Sequence, residues 1–233
     1  MNKEQAVDIN GVEKKVFFDD SREILDELLK AGIILTDKID QLPRGNSDQV
    51  AYCAYLKNFS VGSAELGHDI IGAAKDNKVL LASIGVRAIV ENVIDAAYLS
   101  SKPITERPSV ALSWFDLAND PNANKSQLDH GNIWKRAAEA GQDFSDLLDG
   151  EYSIFSNFVH STAKRALLQM DDHRQLAMYK AIAATLKAYA NILCSVYAML
   201  DEQMPEKLQK QVKGYLDKYQ ETIIGAQLPL DIQ

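Results

Sequence analysis

The stretch "KVLLASIGVRAIVENVIDAAYLSS", residues 78–101, decides how the rest of the chain is read. It contains no proline, ends just before Pro103, and is apolar around most of a helical circumference. A helix that is apolar on nearly all sides must be enclosed by other elements. The spacing therefore predicts a central helix over residues 79–101 with partners packed around it.

The partners follow on both sides. Ser21 reads as an N-cap for a helix running to about Leu42, ended by "PRGN". Residues 47–76 read as one long helix in which Ser60, Gly62, Ser63 and Gly67 offer small side chains for close approach by a neighbour. After Pro108 the pattern becomes choppy. "NDPNANKS", Gly131, Gly141 and Gly150 divide residues 109–150 into short helical pieces, which read as an insertion or lid. Helices are expected over 151–168 and 172–203, and a more charged one with Pro205 in its first turn. Upstream, Asn10-Gly11 lies between short alternating runs in "VDINGVEKKVFF", which is compatible with a small hairpin.

The expectation is an all-α, up-and-down helical bundle with an irregular middle. One domain would cover residues 21–226, preceded by an extension (1–20) and followed by a tail (227–233). A chain of 233 residues can bury one sizeable core. No strand-helix alternation or glycine-rich phosphate loop supports a nucleotide-binding sheet, and no cofactor is expected.

Composition narrows the function classes. The net charge is −8, which disfavours generic nucleic-acid binding, since that rests on phosphate neutralisation by Lys and Arg. Lys135/Arg136 and Lys164/Arg165 are the nearby basic pairs, and both read as solvated. No uninterrupted apolar run has bilayer-spanning length, and "MNKEQAVDINGVEKK" lacks a signal-like apolar core. A cytoplasmic protein with no membrane partner is expected, and a homo-oligomer is compatible with the sequence. Cys53 and Cys194 lie far apart in apolar helical contexts and read as buried structural thiols.

Two stripes carry polar chemistry. On the central helix, Ser83, Arg87, Glu91 and Asp95 recur every four residues, with Tyr98 extending the row. Spacing alone favours an exposed edge here, because charged stripes are most often solvated. The second stripe is in "EYSIFSNFVHSTAKR", residues 151–165, where Tyr152, Ser156 and His160 rise together, each step ~6 Å along a helix axis. Each residue alone has an ordinary structural explanation; on one stripe they would line a shared groove.

"R87-AIV-E91" followed by "Y152-SIF-S156-NFV-H160" resembles an uncharacterised bacterial family of helical proteins, the domain-of-unknown-function family numbered 5677. The likeness covers about residues 47–203. It implies a helical bundle with a shared polar site built from Arg87, Glu91, Tyr152, Ser156 and His160, and supplies no established reaction. Some such families are found among stress or phage-defence proteins. A buried Arg87 would need a partner such as Glu91, because an unpaired interior charge is very costly. Such a cluster would bind a polar or anionic small molecule.

Two other chemistries are weighed. Helical ribonucleases of the HEPN type place Arg four to six residues before His on one helix. Here His160 precedes Arg165, and five residues turn the side chain ~140° away, so only a composite of Arg87 and His160 would serve. Glu65-x2-His68 has the spacing used in di-metal bundles, but no second copy accompanies it. No metal site is expected, and His68 reads as core. A third alternative has the cluster as internal structure, with the helical surfaces carrying the interactions.

Overall fold

The computed structural model describes residues 13–119, 133–160 and 171–220. Among these residues there is no strand, and the fold is an all-α bundle. In chain order the helices are α1 (Lys14–Ile39), α2 (Ser47–Lys57), α3 (Ser63–Lys75), α4 (Val79–Ser101), α5 (Arg107–Asn119), α6 (Ile133–Ala140), α7 (Gln142–Leu147), α8 (Ser153–His160), α9 (Asp171–Met199) and α10 (Glu206–Tyr219). Two π-helical turns, Asn58–Gly62 and Leu148–Tyr152, join α2 to α3 and α7 to α8.

α4 occupies the centre, touching α3, α5, α6, α8 and α9. Val86, Ile89, Val90, Val93, Ile94 and Ala96 are fully enclosed, which is the outcome its apolar circumference requires. α9 is the second core helix and packs on α1, α3, α4 and α10. Its stretch His173–Met199 is long and apolar enough to cross a bilayer by length and composition, contrary to the sequence expectation, but 72% of its most apolar window is buried inside the protein. Packing against four helices accounts for that apolarity.

α1 begins at Lys14, about two turns before the expected N-cap at Ser21. The reason is Phe17, which is fully buried with its ring 4.6 Å from that of Tyr179 and 4.8 Å from that of Tyr219. Keeping Phe17 in this aromatic nest needs helix on both sides of it. Ser21 is therefore mid-helix and buried; its hydroxyl donates to the Phe17 carbonyl (2.6 Å) and lies 2.7 Å from the Tyr215 hydroxyl. The hairpin proposed for residues 7–18 is thus helical from Lys14 on, and residues 1–12 lie outside the described residues.

The small residues of the 47–76 stretch serve close packing as expected. The Tyr189 hydroxyl of α9 donates to the Ser60 carbonyl at 2.6 Å. A Cβ on Gly32 of α1 would collide with that carbonyl oxygen and crowd the hydroxyl. Three helices therefore converge on the first π turn.

The described parts of the middle segment pack onto the bundle. α5 packs on α2 and α4, and buried Trp114 sits with its ring 5.3 Å from that of Tyr55 and 6.1 Å from that of Tyr98. Arg107, at the start of α5, donates to the carbonyls of Lys102 (3.0 Å), Ser100 (2.8 Å) and Met199 (3.4 Å). One guanidinium thus satisfies carbonyls at the C-terminal ends of both α4 and α9, which have no partner within their own helices. Pro205 caps α10 from just outside it. Cys53 is buried, but Cys194 is exposed, its sulfur 3.4 Å from Met204 Sδ.

Candidate functional site

The polar stripe of α4 faces inward. Ser83 is buried and its hydroxyl donates to the Val79 carbonyl at 2.8 Å. Arg87 and Glu91 are half-buried, and Asp95 is buried. The exposed-edge reading is therefore overturned: α8 and α6 cover this face of α4.

The second π turn and α8 meet α4 through Tyr152 and His160 respectively. Arg87 Nη2 donates to the Tyr152 hydroxyl at 3.2 Å, and that hydroxyl donates to Glu91 Oε1 at 3.1 Å. Arg87 Nη1 lies 3.1 Å from His160 Nε2. A guanidinium has only donors, so Nε2 must be the acceptor, which leaves the imidazole proton on Nδ1 in this arrangement. The Arg87 guanidinium carbon also lies 5.2 Å from the Tyr152 ring centroid, within cation–π range.

The eight steps from Tyr152 to His160 rise ~12 Å, and both side chains reach Arg87. Ser156 lies between them, half-buried, but its short side chain makes no hydrogen bond to the cluster among the described residues. Four of the five expected residues are joined by hydrogen bonds, and Ser156 only lines the interface.

The Tyr152 phenol bridges Arg87 and Glu91, accepting from the first and donating to the second. Arg87 Nε is buried and has no hydrogen-bond partner among the described residues. Buried donors are normally satisfied, so the guanidinium has unspent capacity for an acceptor. His160 at its outer edge is exposed.

One helical turn beyond Glu91, Asp95 Oδ1 accepts from Arg136 Nε of α6 at 2.7 Å, with both side chains buried. Burial pushes the Asp95 carboxyl up to about 6; Arg136 opposes the rise and Glu91 adds to it. Tyr55 is also pushed up, to about 12, by burial and then by the Asp95 charge. Arg136 corrects the expectation of a solvated Lys135/Arg136 pair: Lys135 is exposed but Arg136 is not. The signal was in the phasing, since Ile133, Arg136 and Ala137 share one face of α6. Lys164 and Arg165 lie outside the described residues.

Glu65 and His68 are both exposed on α3, so His68 is not core. Among the described residues no group of three His, Cys, Asp or Glu side chains is placed to hold a metal ion. No protein-family model, no curated protein and no solved structure matches this chain.

Proposed function

We propose that the chain is a cytoplasmic helical protein that binds a polar or anionic ligand at the α4–α8 junction, through Arg87 with Tyr152, Glu91 and His160. The observation that carries this reading is the half-buried Arg87 guanidinium, which is hydrogen-bonded to Tyr152 and His160 and, among the described residues, keeps one buried N–H without an acceptor. An anion would supply that acceptor through a charge-assisted hydrogen bond. Glu91 accepts the Tyr152 proton and so aims the phenol oxygen at the guanidinium. The resemblance to the domain-of-unknown-function family numbered 5677 points to the same residues and to a stress- or defence-related setting.

Inorganic phosphate is a suitable probe. It should raise the melting temperature of the wild type in a saturable manner and leave Arg87→Gln unmoved. Equal shifts in both proteins would remove the site.

A second reading, a metal-independent ribonuclease, is favoured by the 3.1 Å contact between Arg87 and the exposed His160. This is the composite pair that no single-helix motif supplies. In that reading Nε2 of His160 exchanges its contact with Arg87 for a ribose 2′-hydroxyl and takes that proton as the oxygen attacks phosphorus. The 5′ oxygen leaves with a proton from water, and Arg87 neutralises the phosphorane charge. RNA cleavage in the presence of a chelator, lost in His160→Ala, would select this reading over simple binding.

A further inference from the structure

The stripe that carries Arg87 and Glu91 continues toward the start of α4 as Ile84 and Leu80. From Leu80 the four positions are spaced four, three and four residues apart, so they lie within a ~60° arc of the helix. The stripe changes character along its length. Tyr152 and α8 cover it at Glu91 and Arg87, whereas Leu80 and Ile84 are 41% and 46% exposed. Leu81 beside them is 57% exposed. Single exposed apolar side chains are ordinary, but a contiguous strip of them marks a surface that meets something apolar. His160, at the described end of α8, is exposed and hydrogen-bonded to Arg87. A polar end and an apolar strip thus share one face of α4.

We propose that the site at Arg87 takes an amphipathic phosphate monoester, its phosphate at Arg87 and His160 and its single hydrocarbon chain along Ile84 and Leu80. This rests on the anion-binding reading of Arg87 given above and names the class of anion. The head group follows from the donors. Arg87 Nε is buried without an acceptor among the described residues, and the His160 proton sits on Nδ1 when Nε2 accepts from Arg87. A phosphate monoester has three terminal oxygens to share between donors on two helices, where a carboxylate has two. The chain follows from the strip. Leu80 lies seven residues before Arg87, ~10.5 Å along the axis, and just before it the Lys78–Asp76 pair (3.0 Å) makes the surface charged again. A hydrocarbon chain of medium length covers that distance. The source is a dissolved monomer, because a net charge of −8 opposes approach to an anionic bilayer.

The test compares octyl phosphate, kept below its micelle concentration, with inorganic phosphate, octanol and octanoate by isothermal calorimetry. Octyl phosphate should bind at least about tenfold more tightly than inorganic phosphate, since full burial of two methylene groups is already worth that much. Octanol and octanoate should both bind more weakly than octyl phosphate. Leu80→Gln and Ile84→Gln replace exposed side chains with a good helix former. Each should leave the melting temperature and the affinity for inorganic phosphate unchanged while removing much of the gain from the octyl chain. Ile34→Gln, equally exposed but on α1, should change nothing, and Arg87→Gln should abolish binding of both phosphates. If Arg87→Gln abolishes binding of inorganic phosphate but the octyl chain adds nothing, this proposal is overturned and the anion-binding reading stands; if neither phosphate binds, both fall. Equal affinity for octanol or octanoate, or an equal loss in Ile34→Gln, would also overturn it. So would co-sedimentation with phosphatidic acid vesicles that is lost in Ile84→Gln, which would assign the strip to a membrane surface.

Discussion

The Tyr152 hydroxyl lies 3.1 Å from Glu91 Oε1 and donates to it while accepting from Arg87. A cation and a carboxylate one turn apart on α4 thus meet through a phenol contributed by another element. Tyr152→Phe keeps the ring and its packing but removes the bridge. We expect a stability loss of about 1–2 kcal/mol together with loss of the phosphate-induced rise in melting temperature. Denaturant titration with and without phosphate checks both; a variant that still responds to phosphate would show that the bridge does not orient Arg87.

His160→Ala separates a binding or catalytic role from a structural one. The side chain is exposed, so a binding or catalytic role predicts a small change in stability without ligand, within about 0.5 kcal/mol. Phosphate stabilisation should then be lost. If the cluster were internal structure instead, the loss would approach 1–3 kcal/mol for stranded polar groups, with no ligand response in either protein.

The Asp95–Arg136 pair is 9% and 6% exposed respectively. Asp95→Leu alone removes the oxygen that accepts from the buried Arg136 guanidinium and should cost about 3–5 kcal/mol. Asp95→Leu with Arg136→Met removes both charges and should cost much less. Urea melts of the two variants make the comparison; equal small losses would mean that the pair is solvated in solution.

The same pair sets a pH dependence. Burial raises the folded Asp95 pKa to about 6 from an ordinary 3.8, so between these values the folded protein binds a proton that the unfolded chain does not. The contribution of this group to stability is therefore fully present below about pH 4 and is lost as pH rises through 6, by up to about 3 kcal/mol. The difference in unfolding free energy between wild type and the double apolar variant, followed from pH 4 to 7, should fall in that direction. A flat difference would contradict it.

Gly32→Ala tests the convergence on the first π turn. The added methyl would collide with the Ser60 carbonyl and the Tyr189 hydroxyl, for about 1–3 kcal/mol of overpacking. Tyr189→Phe combined with Gly32→Ala should recover part of the loss, since it removes one of the two colliding atoms. Thermal melts of the single and double variants check this.

α4 could be placed from sequence because its apolar residues leave almost no other arrangement, and the ends at Val79 and Ser101 follow from that pattern and from Pro103. The inward direction of Arg87 and Glu91 could not be taken from spacing, because a four-residue stripe is the same whether water or another helix faces it. The resemblance, rather than periodicity, drew Tyr152 and His160 together with them. Ser21 misled because a serine before an apolar run resembles a cap, while the aromatic partners that pull Phe17 into helix lie far along the chain at Tyr179 and Tyr219. Arg136 was missed because adjacent basic residues suggest solvent, although they point in directions ~100° apart on a helix.

The π turn at Asn58–Gly62 also fixes the angular setting of the bundle. Such a turn carries an additional residue relative to regular α-helix, so α3 leaves it rotated with respect to α2. Deleting one residue there would restore a continuous α-helix but swing the face bearing Ala64, Gly67 and Ile70 by ~100°, away from the neighbours it now packs against. The turn acts as a keyway between two shafts, and a one-residue deletion within it should be tolerated far less well than one in the connection at 103–106.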